Sequence, residues 1–228
     1  MLKRTQTRRE LLQTVLAGAA GIAGSAALHA AVTPPLSGQS NLTPDAALLE
    51  LMSGNKRFAA NELISIQKDL EVLKNHTADK QEPFAAVLAC ADSRVPVELI
   101  FDQTIGEIFV TRVAGNIATL EIIASLEYAV AVLGVKAVLV LGHTNCGAVK
   151  AAMKADPVPG QISSLYPALR RAVEHSGGDF AKAIEANARI QADLLRTSST
   201  VLRDADQSGK IKVKYGVYDL ASGKVTLT

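Results

Sequence analysis

The chain has 228 residues, of which 48% are hydrophobic and none is tryptophan, and this length and composition suit one globular domain with a proper core rather than two. It carries 24 basic and 22 acidic residues, and 20 basic and 21 acidic residues remain once residues 1–31 are set aside. This near-neutral balance excludes a mainly electrostatic partner such as a nucleic acid or an anionic membrane surface.

The first 31 residues have the pattern of a twin-arginine export signal. The segment Thr7-Arg8-Arg9-Glu10-Leu11-Leu12 leads into a run without charged residues that ends at Pro44. The run is poor in large aliphatic side chains, which favours a cleaved signal over the alternative, a retained membrane anchor. We therefore expect a signal over 1–31, a flexible leader over 32–42 and a folded domain over 43–228, exported to the periplasm or an equivalent compartment without stable membrane insertion.

Two helices are predicted at the start of this domain. Thr43 before Pro44 is typical of a helix N-terminus, and apolar residues keep helical spacing from Ala46 to Phe58. We predict helices over residues 44–60 and 63–78.

Short apolar runs alternate with helical patterns through the middle of the chain. Residues 84–89, 107–112 and 136–141 predict strands, and residues 95–101 and 120–133 predict helices between them. Strands that alternate with helices form right-handed crossovers and a parallel sheet. The fold class is therefore α/β, with a central, mainly parallel β-sheet flanked by helices.

The last third of the chain predicts two further helices and a final hairpin. Residues 161–176 and 179–202 have amphipathic helical patterns. Residues 212–218 alternate in polarity as an edge strand does, and residues 224–227 predict their hairpin partner.

Three potential metal ligands lie where the predicted strands end. Cys90 follows the first strand, His143 follows the third, and Cys146 begins a predicted helix over 147–154. Ligands of an open parallel sheet gather beyond the carboxyl ends of its strands. Two thiolates and one imidazole suit zinc and leave a fourth tetrahedral position for water, which predicts a catalytic zinc site. The alternative is a disulfide, because these are the only cysteines of a chain expected to be exported.

Asp92 and Arg94 accompany the first of these ligands. Their spacing lets the guanidinium hold the carboxylate in a two-pronged contact, and the pKa of Asp92 should then stay low. Held off the metal, Asp92 can accept a hydrogen bond from a zinc-bound hydroxide and so fix the direction of its lone pair. The alternative is an ordinary structural ion pair.

The motifs Cys-x-Asp-x-Arg at 90–94 and His-x-x-Cys at 143–146 closely resemble those of the β-class carbonic anhydrases. The resemblance extends to the segments at 106–116 and 125–130, and it covers roughly residues 41–228. It implies one Zn²⁺ per chain and the reversible hydration of CO₂ to bicarbonate and a proton by zinc-bound hydroxide. It also implies a homodimer or a dimer of dimers, in which the N-terminal helices pack on the partner subunit.

The same resemblance implies a substrate pocket. Gln81, Phe109, Ala114 and Tyr128 match the pocket residues of the plant-type subclass, and Val87 stands where the bicarbonate-regulated enzymes carry a tryptophan. The alternatives are a surface glutamine and two core aromatic residues. A closed state, in which Asp92 leaves Arg94 and becomes the fourth zinc ligand, is also implied.

Two other functions fit part of this pattern. Hydrolysis of carbonyl sulfide or carbon disulfide on the same scaffold needs the same metal. A non-catalytic zinc or bicarbonate-binding module would not need Asp92 and Arg94, so the presence of both favours catalysis. One position departs from the family pattern, since Val113 replaces an asparagine, but this removes no ligand.

Overall fold

The computed structural model describes residues 41–68 and 70–228. The expected signal over 1–31 and nearly all of the expected leader over 32–42 lie outside the described residues. In the described ranges, no helix is both long enough and apolar enough to cross a membrane.

Helices and strands alternate as the sequence predicts. The α-helices of the described residues are α1 (Pro44–Ala59), α2 (Leu70–Thr77), α3 (Val97–Ile100), α4 (Leu120–Ala131), α5 (Gly147–Lys154), α6 (Tyr166–His175), α7 (Phe180–Ser198) and α8 (Thr200–Gln207). Short 3₁₀ turns cover Ser65–Gln67 and Ile162–Leu165. The strands are β1 (Ala85–Ala89), β2 (Ile108–Arg112), β3 (Ala137–His143), β4 (Lys212–Tyr218) and β5 (Val225–Leu227).

In the part of the chain that the structure describes, five strands form one sheet in the order β2-β1-β3-β4-β5. Four strands are parallel, and only β5 runs antiparallel, to β4. Ala89 at the end of β1 lies beside Arg112 of β2 and Leu141 of β3, so these three strands end together at one edge. The predicted α/β class and parallel sheet are confirmed.

Both faces of β1 and β3 are covered, which explains their continuous apolar sequences. Ala85, Val87 and Ala89 pack with residues of α1 and α3 on one face. Ala86 and Leu88 pack with residues of α4, α7 and α8 on the other. The core therefore lies in two layers, one on each side of the sheet.

Helix α1 is fixed to its own chain by a glycine and an asparagine. A Cβ on Gly54 would lie 1.7 Å from the carbonyl oxygen of Phe101, so only glycine allows this approach. Buried Asn55 donates to the carbonyls of Ile100 and Gly223 and accepts from the N–H of Val225. Packing of the N-terminal helices on a partner subunit stays a prediction.

Three predicted elements differ from the structure in extent. The helix predicted over 63–78 is a 3₁₀ turn followed by α2, and the one over 161–176 begins with a 3₁₀ turn. The helix predicted over 179–202 is two helices, because the side chain of Ser199 caps α8 by accepting from the N–H of Leu202. Its hydroxyl also donates to Glu127 of α4 at 2.6 Å, which anchors this corner.

The prediction of β4 as an edge strand is wrong. It pairs with β3 on one side and β5 on the other, and β5 is the edge. Its alternating sequence arises because α1 covers one face only in part. Lys212 on that face forms an ion pair with Asp45 near the start of α1, whereas Val213 on the other face is buried. The predicted antiparallel partner at 224–227 is confirmed.

Candidate functional site

The three predicted metal ligands converge at the carboxyl edge of the sheet. Cys90 directly follows β1, His143 is the last residue of the neighbouring β3, and Cys146 caps the start of α5. Their two sulfur atoms and a ring nitrogen all lie within 4.8 Å of one another, and all three residues are buried. Both cysteines are free thiols, so the disulfide alternative is wrong.

The imidazole of His143 is oriented to bind a metal through one nitrogen. Its Nδ1 lies 2.9 Å from the carbonyl oxygen of Thr144, and because a carbonyl can only accept, Nδ1 carries the proton. Nε2 then has a free lone pair. It is buried and has no hydrogen-bond partner among the described residues, which is costly unless a ligand binds it.

The thiols of Cys90 and Cys146 lie close enough to share one proton. The pKa of Cys90 lies well below its usual value because the Cys146 thiol lies within hydrogen-bonding reach of its thiolate, and the N–H of Gly115 also favours this thiolate. The pKa of Cys146 is raised because it is the donor to Cys90 and is buried. A divalent cation replaces the shared proton and allows both sulfurs to be thiolates, so the donor set fits zinc.

A tight turn brings a backbone donor to Cys90. Gly115 has φ +77° and Asn116 has φ +44°, conformations suited to these residue types. The turn points the N–H of Gly115 at Cys90 Sγ, 3.3 Å away. Val113, which precedes the turn, packs against apolar side chains around the thiols and removes no ligand.

Asp92 and Arg94 form the expected pair beside these ligands. Arg94 Nε donates to Asp92 Oδ1 at 2.9 Å, and Arg94 Nη2 donates to Oδ2 at 2.8 Å. The guanidinium holds the pKa of Asp92 well below its usual value, against the opposing effect of burial. Asp92 Oδ2 lies 3.9 Å from His143 Nε2, so an ionised acceptor borders the metal position.

Three of the four residues expected to bind substrate, Gln81, Phe109 and Tyr128, lie together on a surface that contains none of the metal ligands of the same chain. Gln81 and Tyr128 line one groove of about 370 Å³, whose walls include none of the three metal ligands. The Phe109 ring packs on Tyr128 with centroids 6.4 Å apart and planes tilted by 45°. Ala114 lies next to Gly115 in the turn and is half-buried. The structure therefore brings three of the four together but does not place them around the metal position.

Sequence reasoning missed two residues that support the site. Arg112 donates to the carbonyl oxygens of Cys90 and Asp92 at 3.0 and 2.5 Å, and its position at the end of β2 beside β1 was the available signal. Asn187 of α7 donates to the carbonyl of Gly115 at 2.8 Å. No local pattern could reveal this contact, since 72 positions separate the two residues.

Comparison with known proteins gives one consistent family. A family model described as carbonic anhydrase matches residues 85–225. A carbonic anhydrase of Mycolicibacterium smegmatis is 35% identical over 197 residues, which cover 82% of this chain and 94% of that protein.

Solved structures agree with this match. A β-carbonic anhydrase of Coccomyxa, in complex with acetazolamide, has a TM-score of 0.62 at 28% identity and covers 79% of this chain and 85% of its own. Tetrameric β-carbonic anhydrases of Sordaria macrospora share the fold, with a TM-score of 0.62 at 22% identity and coverage of 79% and 95%. Together with the convergent cysteines, histidine and Asp-Arg pair, these matches confirm the resemblance seen in the sequence, and the chain belongs to the β class of the carbonic anhydrase family.

Proposed function

We propose that this enzyme hydrates CO₂ reversibly to bicarbonate and a proton, with one zinc ion per chain held by Cys90, His143 and Cys146. The observation that carries the proposal is a buried ring nitrogen of His143 within 4.8 Å of two free thiols, in an imidazole whose Nε2 has no hydrogen-bond partner among the described residues. β-Carbonic anhydrases are zinc enzymes, and this donor set suits the same metal. Zinc supplies a Lewis acid that makes a water molecule acidic enough to yield a nucleophile near neutral pH.

Asp92 acts as the acceptor that orients this nucleophile. Its carboxylate stays ionised because Arg94 holds both oxygens, so it would accept a hydrogen bond from the attacking oxygen and direct a lone pair of that oxygen toward CO₂. In the closed state that the family resemblance implies, Asp92 released from Arg94 would be available as a fourth metal ligand. The 3.9 Å between Asp92 Oδ2 and His143 Nε2 makes this a short movement.

The substrate pocket is completed by a second subunit. Gln81, Phe109 and Tyr128 are gathered on one surface of the chain, with Tyr128 46% exposed, and that surface includes none of the metal ligands. A homodimer or a dimer of dimers would place this surface against the metal site of the partner, whereas Ala114 lies in the turn beside Cys90 of its own chain. Buried Val87 of β1 stands where the bicarbonate-regulated enzymes carry a tryptophan, which supports the plant-type subclass.

The enzyme acts outside the cytoplasm. The twin-arginine pattern at residues 7–12 supports export to the periplasm or an equivalent compartment, and a retained anchor is the alternative. Cell fractionation with an epitope at the C-terminus distinguishes them, because a cleaved protein is released with the periplasmic fraction whereas an anchored one stays with membranes.

Metal analysis together with CO₂ hydration rates tests the function. We expect one zinc per chain, and in Asp92→Asn a large loss of rate with zinc retained, because the amide cannot accept the proton in the same way. An Asp92→Asn variant as active as the wild type would exclude the role given to this carboxylate. Faster turnover of carbonyl sulfide or carbon disulfide than of CO₂ would change the assigned substrate.

A further inference from the structure

We infer that Arg112 is a positioning residue, which holds the turn that carries Cys90 and Asp92 in the geometry that the reaction needs. Its Nε donates to the carbonyl oxygen of Cys90 at 3.0 Å, and its Nη2 donates to the carbonyl oxygen of Asp92 at 2.5 Å. One edge of the planar guanidinium therefore binds the main-chain carbonyls of both Cys90, a metal ligand, and Asp92, the hydrogen-bond acceptor of the site. This inference rests on the proposed function.

The backbone at this point cannot be fixed by the sheet alone. The pairing of β1 with β2 ends with the N–H of Val113 donating to Ala89 and the N–H of Ala91 donating to Val113, both at 3.2 Å. These bonds leave the carbonyls of Cys90 and Asp92 outside the ladder. Arg112 lies opposite Ala89 in register, so its side chain reaches across the end of β1 to both carbonyls.

The charge of Arg112 is committed to these carbonyls rather than to an ion pair. Among residues 41–68 and 70–228, no carboxylate lies within 4 Å of its guanidinium, whereas Arg94 is paired with Asp92. The two arginines contact different parts of Asp92. Arg94 donates to its carboxylate, and Arg112 donates to its main-chain carbonyl. The exposed position of Arg112 also makes a purely space-filling role in the core untenable.

Removing the guanidinium of Arg112 should leave the positions of Cys90 and Asp92 less fixed. Arg112→Met keeps most of the aliphatic stem and loses both donors. We expect kcat/KM for CO₂ hydration at saturating zinc to fall by about 10- to 100-fold, and zinc affinity by a similar factor, as for other residues that orient metal ligands. Zinc affinity, measured by competition with a chromophoric chelator, reports the positioning of Cys90 without relying on activity.

A conservative variant separates positioning from charge. Arg112→Lys keeps the positive charge, but a single ammonium does not reproduce the fork on both carbonyls, so we expect values between those of the wild type and Arg112→Met. Arg203→Met is the matched control, because Arg203 lies on α8 and, among the described residues, its side chain donates only to its neighbour Asp204. This control should retain wild-type zinc affinity and kcat/KM.

Wild-type zinc affinity together with wild-type kcat/KM in Arg112→Met would overturn the inference. If that variant does not fold, a fully wild-type Arg112→Lys would overturn it equally, and an intermediate one would support it. These outcomes are distinct from failure of the proposed function, which would appear as a wild-type protein without zinc or without CO₂ hydration.

Discussion

Asp102 should stabilise the fold through its ionised carboxylate. It is fully buried at the side chain, and it accepts hydrogen bonds from Arg57 Nε of α1 and from the N–H groups of Ile64 and Ser65. Burial alone would raise the pKa of Asp102, but these donors outweigh it and hold the pKa at about 2, against 3.8 when unfolded. Asp102→Asn removes the negative charge. It also replaces one carboxylate oxygen, an acceptor, by an NH₂ group, which is a donor and cannot accept from Arg57 or from the two N–H groups.

The size of this effect follows from the two pKa values. Because the folded pKa is the lower one, the stabilisation is complete above the unfolded pKa and is lost as the pH falls through the folded pKa. The shift corresponds to about 2.4 kcal/mol of unfolding free energy near pH 7 and about 1.3 kcal/mol near pH 3. Asp102→Asn should therefore lose roughly 2 kcal/mol at neutral pH, and less in acid.

Urea unfolding at both pH values, at equal protein concentration, measures this difference. Exposed Asp156 provides the control, and Asp156→Asn should stay within about 0.5 kcal/mol of the wild type. A difference between Asp102→Asn and the wild type that is under about 0.5 kcal/mol at neutral pH, or that grows toward acid pH, would refute the reasoning.

Three further predictions concern other parts of the molecule. Ala155 ends α5 with φ +52°, so Ala155→Gly should raise the unfolding free energy by about 1 kcal/mol, whereas Ala151→Gly within the same helix should lower it by about 0.5–1 kcal/mol; chemical denaturation tests both. Asn55→Ala leaves one buried carbonyl, one part-buried carbonyl and one buried N–H without their partner, and should cost roughly 3 kcal/mol in the same assay; an unchanged midpoint would contradict this. Finally, two thiolates neutralise the zinc charge and leave its water less acidic than three histidines would, so stopped-flow kcat/KM should rise from neutral toward alkaline pH; a maximum below neutrality would count against that ligand set.

The metal ligands could be predicted from sequence because their chemistry is rare and their topology is constrained. The chain has only two cysteines. Cys90 directly follows a run of residues that predicts a strand, and Cys146 directly precedes one that predicts a helix. Once the sheet was known to be parallel, the ends of β1 and β3 had to meet at one edge. Cys90 and His143 could therefore meet across 53 positions, and the strand order that makes β1 and β3 neighbours is what the structure adds.

The supporting contacts could not be predicted, because they depend on where long side chains point. Arg112 reaches over a neighbouring strand, and Asn187 contacts the turn at Gly115 from a helix late in the sequence. The prediction of β4 as an edge strand was wrong for a different reason. A strand half-covered by α1 has the same alternating pattern as an edge strand, and only the pairing with β5 distinguishes them.

Zinc K-edge X-ray absorption of the purified, active protein measures the proposed coordination directly. We expect one zinc per chain with two sulfur neighbours at about 2.3 Å, from Cys90 and Cys146, and an imidazole nitrogen at about 2.0–2.1 Å, from His143. A metal shell without sulfur, or full CO₂ hydration by a protein free of zinc, would contradict the assignment.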